Sequence, residues 1–442
     1  MPELAFATLS QEILHDLAGG SCVAVTGLSN TGKTTLMQSL AGQKAADLYR
    51  AAAGREAALV FVDCNRAVAI TAQAFYEIVL RSLLDYLTPI GPAELTASVR
   101  DFHFSVTEAE TAFQASLSFN LALTEVCAGL AKDLCLLIDE FDELYLALDD
   151  RALLNLRALR DRFPQQLMFV TATLRSLAQL RGTVLEDEFA EMFARSTYVM
   201  QPLTEAEGMA LLASLKLPGL LAEAERMAWQ ISGGHPGMLI AAGLALADEK
   251  IPVARPPAEH VIRHPAARAE CLKIWNQLSL PEQADLMGRA AEGALTAGLP
   301  VTLEMAELGL LEAGRLRSEL LAAFTRLRGR GTDGAAGIRI DPDAGEVSVN
   351  GVRVPLLTDL EFKLLQLLDE RRDKLTDKYL IVTRVWGENF LDEVDDARVE
   401  KLVSRLRSKI ESDPANPRYL VTVRGRGYKL LGAPRGDEGP AE

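Results

Sequence analysis

Gly27-Leu-Ser-Asn-Thr-Gly-Lys33-Thr34 follows an apolar run at residues 22–26 and precedes residues 35–41, which can form a helix. No other stretch constrains the fold as strongly. The spacing fits G-x-x-x-x-G-K-S/T. Its glycines let the backbone curl round an anion, while the loop amides and the helix N-terminus point inward. Such a loop hangs from the end of a buried strand, so an α/β core with a parallel sheet is expected. In that frame Lys33 neutralises β- and γ-phosphates and Thr34 coordinates Mg²⁺. Gly27, Asn30, Thr31, Gly32 and Thr35 complete the cradle of an ATP site.

A second run, Leu134-Cys-Leu-Leu-Ile-Asp139-Glu140-Phe-Asp142-Glu143, is a strand ending in acid. With the phosphate loop roughly a hundred residues earlier it reads as the Walker B element. Asp139 would hold Mg²⁺ through water, and Glu140 would polarise the attacking water. Further strands are expected at 59–63, 167–171 and 197–200, separated by segments of helical period such as 72–87 and 109–131. The strand at 167–171 runs into Thr171-Ala-Thr173-Leu-Arg175. If it inserts between the two motif strands, Thr171 or Thr173 approaches the γ-phosphate. Arg175 is then either a γ-phosphate sensor or a surface arginine. Arg195, before the last strand, either reaches a neighbouring subunit's nucleotide or is an ordinary surface residue.

After Pro202 the strand signal stops. Residues 203–250 are helical in pattern, broken by Gly233-Gly-His235-Pro236-Gly237, and 265–328 read as three or four short helices. Net charge is −15, which argues against nucleic acid as a partner of the whole surface. The charge is uneven, however. Residues 1–336 carry 28 basic against 41 acidic side chains, whereas 401–429 hold eight Lys or Arg against two acids, a net of +6. Any DNA contact is therefore expected at the C-terminal end. The longest apolar run, 238–247, is too short to cross a membrane, and the N-terminus lacks the pattern of a signal peptide. The five cysteines are scattered, with no C-x-x-C pair. They read as reduced core thiols of a cytoplasmic protein, without a zinc site.

GLSNTGKT, LLIDEFDE, VTATLR, YVMQPLTEAE and GGHPG together make residues 20–330 resemble the STAND class of signalling ATPases, relatives of the AAA+ proteins. The resemblance implies a helical lid whose G-x-P turn contacts the nucleotide. His235 or Pro236 then lies near the adenine or the phosphates. It also implies a winged helix after the lid.

Residues 397–411 have helical period, with Val399, Leu402, Val403, Leu406 and Ile410 on one face. Arg398, Lys401, Arg405, Arg407 and Lys409 decorate the rest, as on a helix that lies in a major groove. Val423-Arg424-Gly425-Arg426-Gly427-Tyr428 reads as a tight hairpin presenting Arg424 and Arg426 to a minor groove. These stretches, with Val385-Trp-Gly and Asn350-Gly-Val-Arg-Val-Pro-Leu-Leu-Thr-Asp-Leu-Glu-Phe, resemble the OmpR/PhoB winged-helix output domain. In that family the loop corresponding to the acidic stretch 387–396 can touch RNA polymerase; an acidic loop there could equally shield against the wrong partner. The run Ala397-Arg398-Val399-Glu400-Lys401-Leu402 departs from the family's usual first turn, so the DNA sequence read does not follow from the resemblance.

The expected fold is a multidomain α/β P-loop NTPase of the ASCE type, with a helical lid and winged-helix domains. The expected boundaries are 1–202 for the ATPase core, 203–260 for the lid and 261–328 for a helical winged-helix-like domain. A linker at 329–337, a DNA-binding domain at 338–431 and a disordered tail at 432–442 follow. The expected function is a slow ATPase used as a switch that gates DNA binding in transcription regulation. An unidentified protein activator and a nucleotide-dependent oligomer are expected partners. An ATPase of a genome-defence or mobile-element system and an origin-binding or DNA-remodelling ATPase stay open as alternatives.

Overall fold

The computed structural model describes residues 6–181, 188–248, 257–292, 299–332, 337–341, 346–349, 352–354, 357–387, 396–411, 414, 417–423 and 426–432. Most of the acidic stretch 387–396, the wing residue Arg424 and all of the C-terminal tail beyond residue 432 lie outside them. The chain divides into two compact units, Met1–Gln277 with Thr302–Leu320 and Leu278–Val301 with Leu321–Glu442.

In the first unit five strands form one sheet: β1 (Val23–Thr26), β2 (Ala57–Asp63), β3 (Asp133–Asp139), β4 (Leu167–Thr173) and β5 (Thr197–Val199). Their order is β2-β3-β4-β1-β5, and every pairing is parallel. All five expected strands are present, and β4 stands between β1 and β3. The strands are near-continuous apolar runs because both faces are covered. Side chains of β3 alternate accordingly. Leu134, Leu136 and Ile138 enter one core, while Cys135 and Leu137 enter the other. The same period of two places Leu167 and Phe169 of β4 in the first core and Met168, Val170 and Ala172 in the second.

Between β2 and β3 three helices, Ala72–Ile90, Ala93–Thr107 and Ala112–Gly129, cover the first face. Beyond β5 come the helices Glu205–Leu215, Ala222–Ser232 and Pro236–Asp248. The first opens on a capping box, in which Thr204 and Glu207 satisfy each other's backbone amides.

Two expected boundaries need correction. Residues 261–328 do not form one separate domain. The helix Pro265–Asn276 belongs to the first unit, where Asn30 Nδ2 donates to Glu270 and Ser29 N–H donates to Gln277. Nor does the linker begin at 329. The helix Glu319–Thr332 runs through Arg328-Gly-Arg-Gly-Thr332. Its buried stripe of Leu320, Leu321, Ala323 and Phe324 nucleates a helix that two glycines, at about 1 kcal/mol each, do not stop.

The second unit contains a three-stranded antiparallel sheet, Ile338–Asp341, Glu346–Val349 and Val352–Arg353, followed by helices Asp359–Glu370, Lys378–Val385 and Asp396–Ile410. The hairpin Leu420–Val423 with Gly427–Leu430 closes it. Its core joins Leu364, Leu368 and Ile381 to Val399, Leu402, Leu406 and Ile410, which is the apolar face expected of the last helix.

Candidate functional site

The C-terminal ends of β1, β3 and β4 meet at one edge. Gly27 N–H donates to the Thr173 carbonyl (3.1 Å), Phe141 N–H to the Ala172 carbonyl (3.2 Å) and Leu174 N–H to Asp142 Oδ1 (2.8 Å). The loop leaving β1 turns through two left-handed residues, Asn30 (φ 60°) and Gly32 (φ 101°). Gly32 is the N-cap of the helix Lys33–Leu40, so the helix N-terminus opens onto the loop. A Cβ at Gly32 would meet the Phe6 ring at 2.5 Å, and at that φ any other residue is strained.

Lys33 is buried, and its ammonium donates to the carbonyls of Gly27 (2.7 Å) and Leu28 (3.1 Å). Burial lowers its pKa, opposed by Glu140, Asp142 and Asp139. An anion placed in the loop would relieve that cost. Asp139 is buried at the end of β3, and burial pushes its carboxyl up to about 6, opposed by a hydrogen bond from Thr34. Its Oδ1 has no hydrogen-bond partner among the described residues. A hydroxyl and a carboxylate oxygen so placed form an oxygen donor set suited to Mg²⁺, and they fit the group the motif implies. Glu140 next to it has φ 52°, a strained conformation for a non-glycine residue and one that clusters at functional sites.

A cavity of about 800 Å³ lies over the loop. Asn30, Gly32, Lys33, Thr34, Thr35 and Glu140 form its polar floor. Phe6, Leu203, Leu211, Ile240, Ala241 and Leu244 make an apolar wall, with Glu207, Pro236, Gly237, Glu270 and Lys273 on the rim. A smaller cavity of about 330 Å³ shares Ser29, Lys33 and Glu140 with it and adds Asn65, Asp142, Glu143, Leu174 and Gln277.

The structure therefore brings together Gly27, Asn30, Thr31, Gly32, Lys33, Thr34, Thr35, Asp139 and Glu140. Thr171 is buried beside β3 with a hydroxyl that has no partner among the described residues, whereas the Thr173 hydroxyl donates to the Arg175 carbonyl (2.6 Å). The Arg175 guanidinium donates to the Gln277 carbonyl at 3.5 Å. Pro236 lines the large cavity and also, with His235, a tight space beside Thr31, Met200 and Ser318, whereas His235 does not line the large one. Burial brings the His235 pKa down to about 4, so the ring is neutral. Arg195 is exposed and lines neither of the two cavities.

In the second unit the basic residues of the helix Asp396–Ile410 divide. Arg398, Lys401 and Arg405 are exposed. Arg407 is held inside the unit, Nε on the Leu420 carbonyl (2.9 Å) and Nη2 on Thr422 Oγ1 (2.8 Å). Lys409 pairs with the buried Glu361 at 2.7 Å. The reading of Arg407 and Lys409 as groove-facing is therefore corrected: both tie the helix to its own core. Arg426 is exposed at the hairpin turn.

Residues 16–179 match the family model of the AAA domain, and residues 353–430 match the model described as transcriptional regulatory protein, C terminal. The chain joins an AAA-type P-loop domain to an OmpR/PhoB-type winged helix. Sensory transduction protein RegX3 of Mycolicibacterium smegmatis is 39% identical over 125 residues, covering 26% of this chain and 54% of that protein. RegX3 of Mycobacterium tuberculosis is 44% identical over 95 residues, 22% of this chain and 40% of that protein. The chain thus spans about half or less of these relatives. Among solved structures, a Walker-type ATPase of Pyrococcus abyssi aligns over 73% of this chain and 96% of its own, at 12% identity and TM-score 0.47. No helix among the described residues is long and apolar enough to cross a membrane.

Among the cavity residues that sequence reasoning missed are Phe6, Glu270, Lys273 and Gln277. The last three recur at i, i+3 and i+7, one face of the helix Pro265–Asn276 and its end. That spacing was a usable signal. Phe6 stands far from every motif, and its sequence context carries none.

Proposed function

We propose that the chain is an ATP-gated, DNA-binding regulator of transcription. The observation that carries this reading is a complete phosphate loop with its Walker B acids in one chain with a winged helix whose last helix exposes Arg398, Lys401 and Arg405. The apolar wall around Phe6 and Ile240 suits a purine, and the floor at Asn30 to Thr35 suits the phosphates. Thr34 and Asp139 would hold Mg²⁺, which supplies charge neutralisation between the β- and γ-phosphates. Glu140, pre-set by its backbone, orients and polarises water, and Thr171 offers a buried hydroxyl on β4 opposite Ile138 of β3. Lid residues around Pro236 close the cavity, so nucleotide state biases the lid.

In the winged helix, Lys401 and Arg398 anchor phosphates, and Arg405 reads a base edge in the major groove. The body is acidic, so attraction to DNA resides in the winged helix and falls steeply with salt. The test is binding of the full chain to duplexes selected from a random pool, with ATP, with ADP and at several salt concentrations. Salt-sensitive binding that differs between the nucleotides is expected. Binding to no duplex, or equal binding in both states, overturns the reading.

A further inference from the structure

An acid sits where a phosphate-binding loop should attract an anion. Glu270, on the helix Pro265–Asn276, is nearly fully buried, and both its oxygens lie 2.9 Å from Asn30 Nδ2. Asn30 belongs to the phosphate loop, and Glu270 lines the same cavity as Lys33, Thr34 and Glu140. Room for this contact comes from Gly237. A Cβ there would lie 2.0 Å from Glu270 Oε1 and 2.7 Å from Asn30 Cβ, and Gly237 N–H donates to the Asn30 carbonyl (3.1 Å). The last glycine of GGHPG thus seats a carboxylate on the loop. Lys273 approaches Glu270 at 3.4 Å but is more than half exposed, so water screens its compensation. The same helix is pinned again at its end. Ser29 N–H donates to Gln277 Oε1 (3.0 Å), Gln277 Nε2 donates to Ser29 Oγ, and Arg175 reaches the Gln277 carbonyl. Gln277 is also the last residue before the chain enters the second unit.

We propose that Glu270 is a selectivity residue that disfavours a third phosphate while its helix is docked, so that triphosphate binding and release of Pro265–Asn276 from the phosphate loop are one event. This rests on the nucleotide-binding reading above. A diphosphate fills the inner part of the loop. The γ-phosphate adds about one net negative charge to a cavity that Glu270 and Glu140 already line. Like charges a few ångströms apart, even in a high effective dielectric, change affinity by on the order of tenfold. The repulsion is relieved when Glu270 leaves Asn30. Because Ser29 and Gln277 lie on the same clamp, the whole helix is then freed at the point where the chain passes to the winged-helix unit.

Affinities of the full chain for Mg·AMP-PNP and Mg·ADP, measured by calorimetry, give a triphosphate-to-diphosphate ratio. Glu270→Gln keeps the side chain's shape and removes its charge; the ratio is expected to rise about tenfold. Gly237→Ala keeps the charge and removes its seat, and is expected to raise the ratio in the same direction. Hydrogen exchange over residues 265–277 should accelerate in wild type with AMP-PNP but not with ADP. It should already be fast in Gly237→Ala without nucleotide. Ratios within twofold of wild type in both variants, while Lys33→Ala abolishes binding of both nucleotides, overturn the proposal and leave the nucleotide reading standing. Failure of wild type to bind either nucleotide overturns both.

Discussion

The phosphate loop and the last helix of the winged helix were both read from short motifs, yet they behaved differently. Of the loop residues assigned to phosphate, Asn30, Gly32, Lys33, Thr34 and Thr35 line the large cavity. Of the five basic residues assigned to the helix, Arg407 and Lys409 turn back into their own domain. The loop motif encodes backbone geometry: two glycines, a left-handed turn and a helix start leave one way to curl. The helix motif encodes only side-chain type. A long basic side chain at the margin of an apolar face serves the core or the solvent, according to which neighbours the fold supplies.

That contrast can be broken most forcefully at Lys33. Lys33→Ala removes at least two charge-assisted hydrogen bonds to phosphate, at about 1.5–3 kcal/mol each. A loss of nucleotide affinity of about a hundredfold or more is expected in calorimetry. The melting temperature should not fall, because the ammonium is desolvated in the free protein. A drop in stability with affinity retained would make Lys33 a structural residue and erase the contrast.

Arg405 and Arg407 sharpen it from the other side. Arg405→Ala should cost about 1–3 kcal/mol of binding to a selected duplex and leave the melting temperature unchanged. Arg407→Ala should destabilise the winged helix by about 1–2 kcal/mol, because it unpins the helix from the Leu420–Val423 strand. Lys409→Ala belongs with Arg407, since it leaves the buried Glu361 without its ion partner. Equal effects of Arg405→Ala and Arg407→Ala in both assays would show that the division between outward and inward arginines has no energetic meaning.

The smallest effect is at His235. Its folded pKa, about 4, lies below the unfolded value, so the unfolded chain takes up the proton first as pH falls. Its contribution is intact above about pH 6.5 and is lost progressively toward pH 4, about 1 kcal/mol being gone at pH 5.5. Asp139 has the opposite sign, because its raised pKa favours the folded state on acidification. His235→Asn isolates the histidine: wild type should lose stability relative to the variant between pH 6.5 and 5. Parallel pH profiles would place the ring in contact with solvent or with an acid.

Much of the architecture was legible because its signals are local and periodic. Apolar runs of strand length, alternating with helical segments, specify a parallel sheet buried on both faces, and the two motif strands announce the edge where the loop and the acids meet. Residues 397–411 announced their buried face by spacing alone. Spacing cannot say which distant element arrives at a site. The insertion of β4 between β1 and β3 brought Thr171 and Thr173 to the motif edge. Packing of Pro265–Asn276 on the phosphate loop placed Glu270 and Gln277 against Asn30 and Ser29, some 240 residues away in sequence. The close approach at Gly237 and the strained φ of Glu140 exist only in the folded backbone. The sequence determined where the phosphate-loop motif and the amphipathic basic helix lie, because backbone curvature and helical period are local. The tertiary structure alone decided which charges share a cavity, because that depends on elements meeting across the chain.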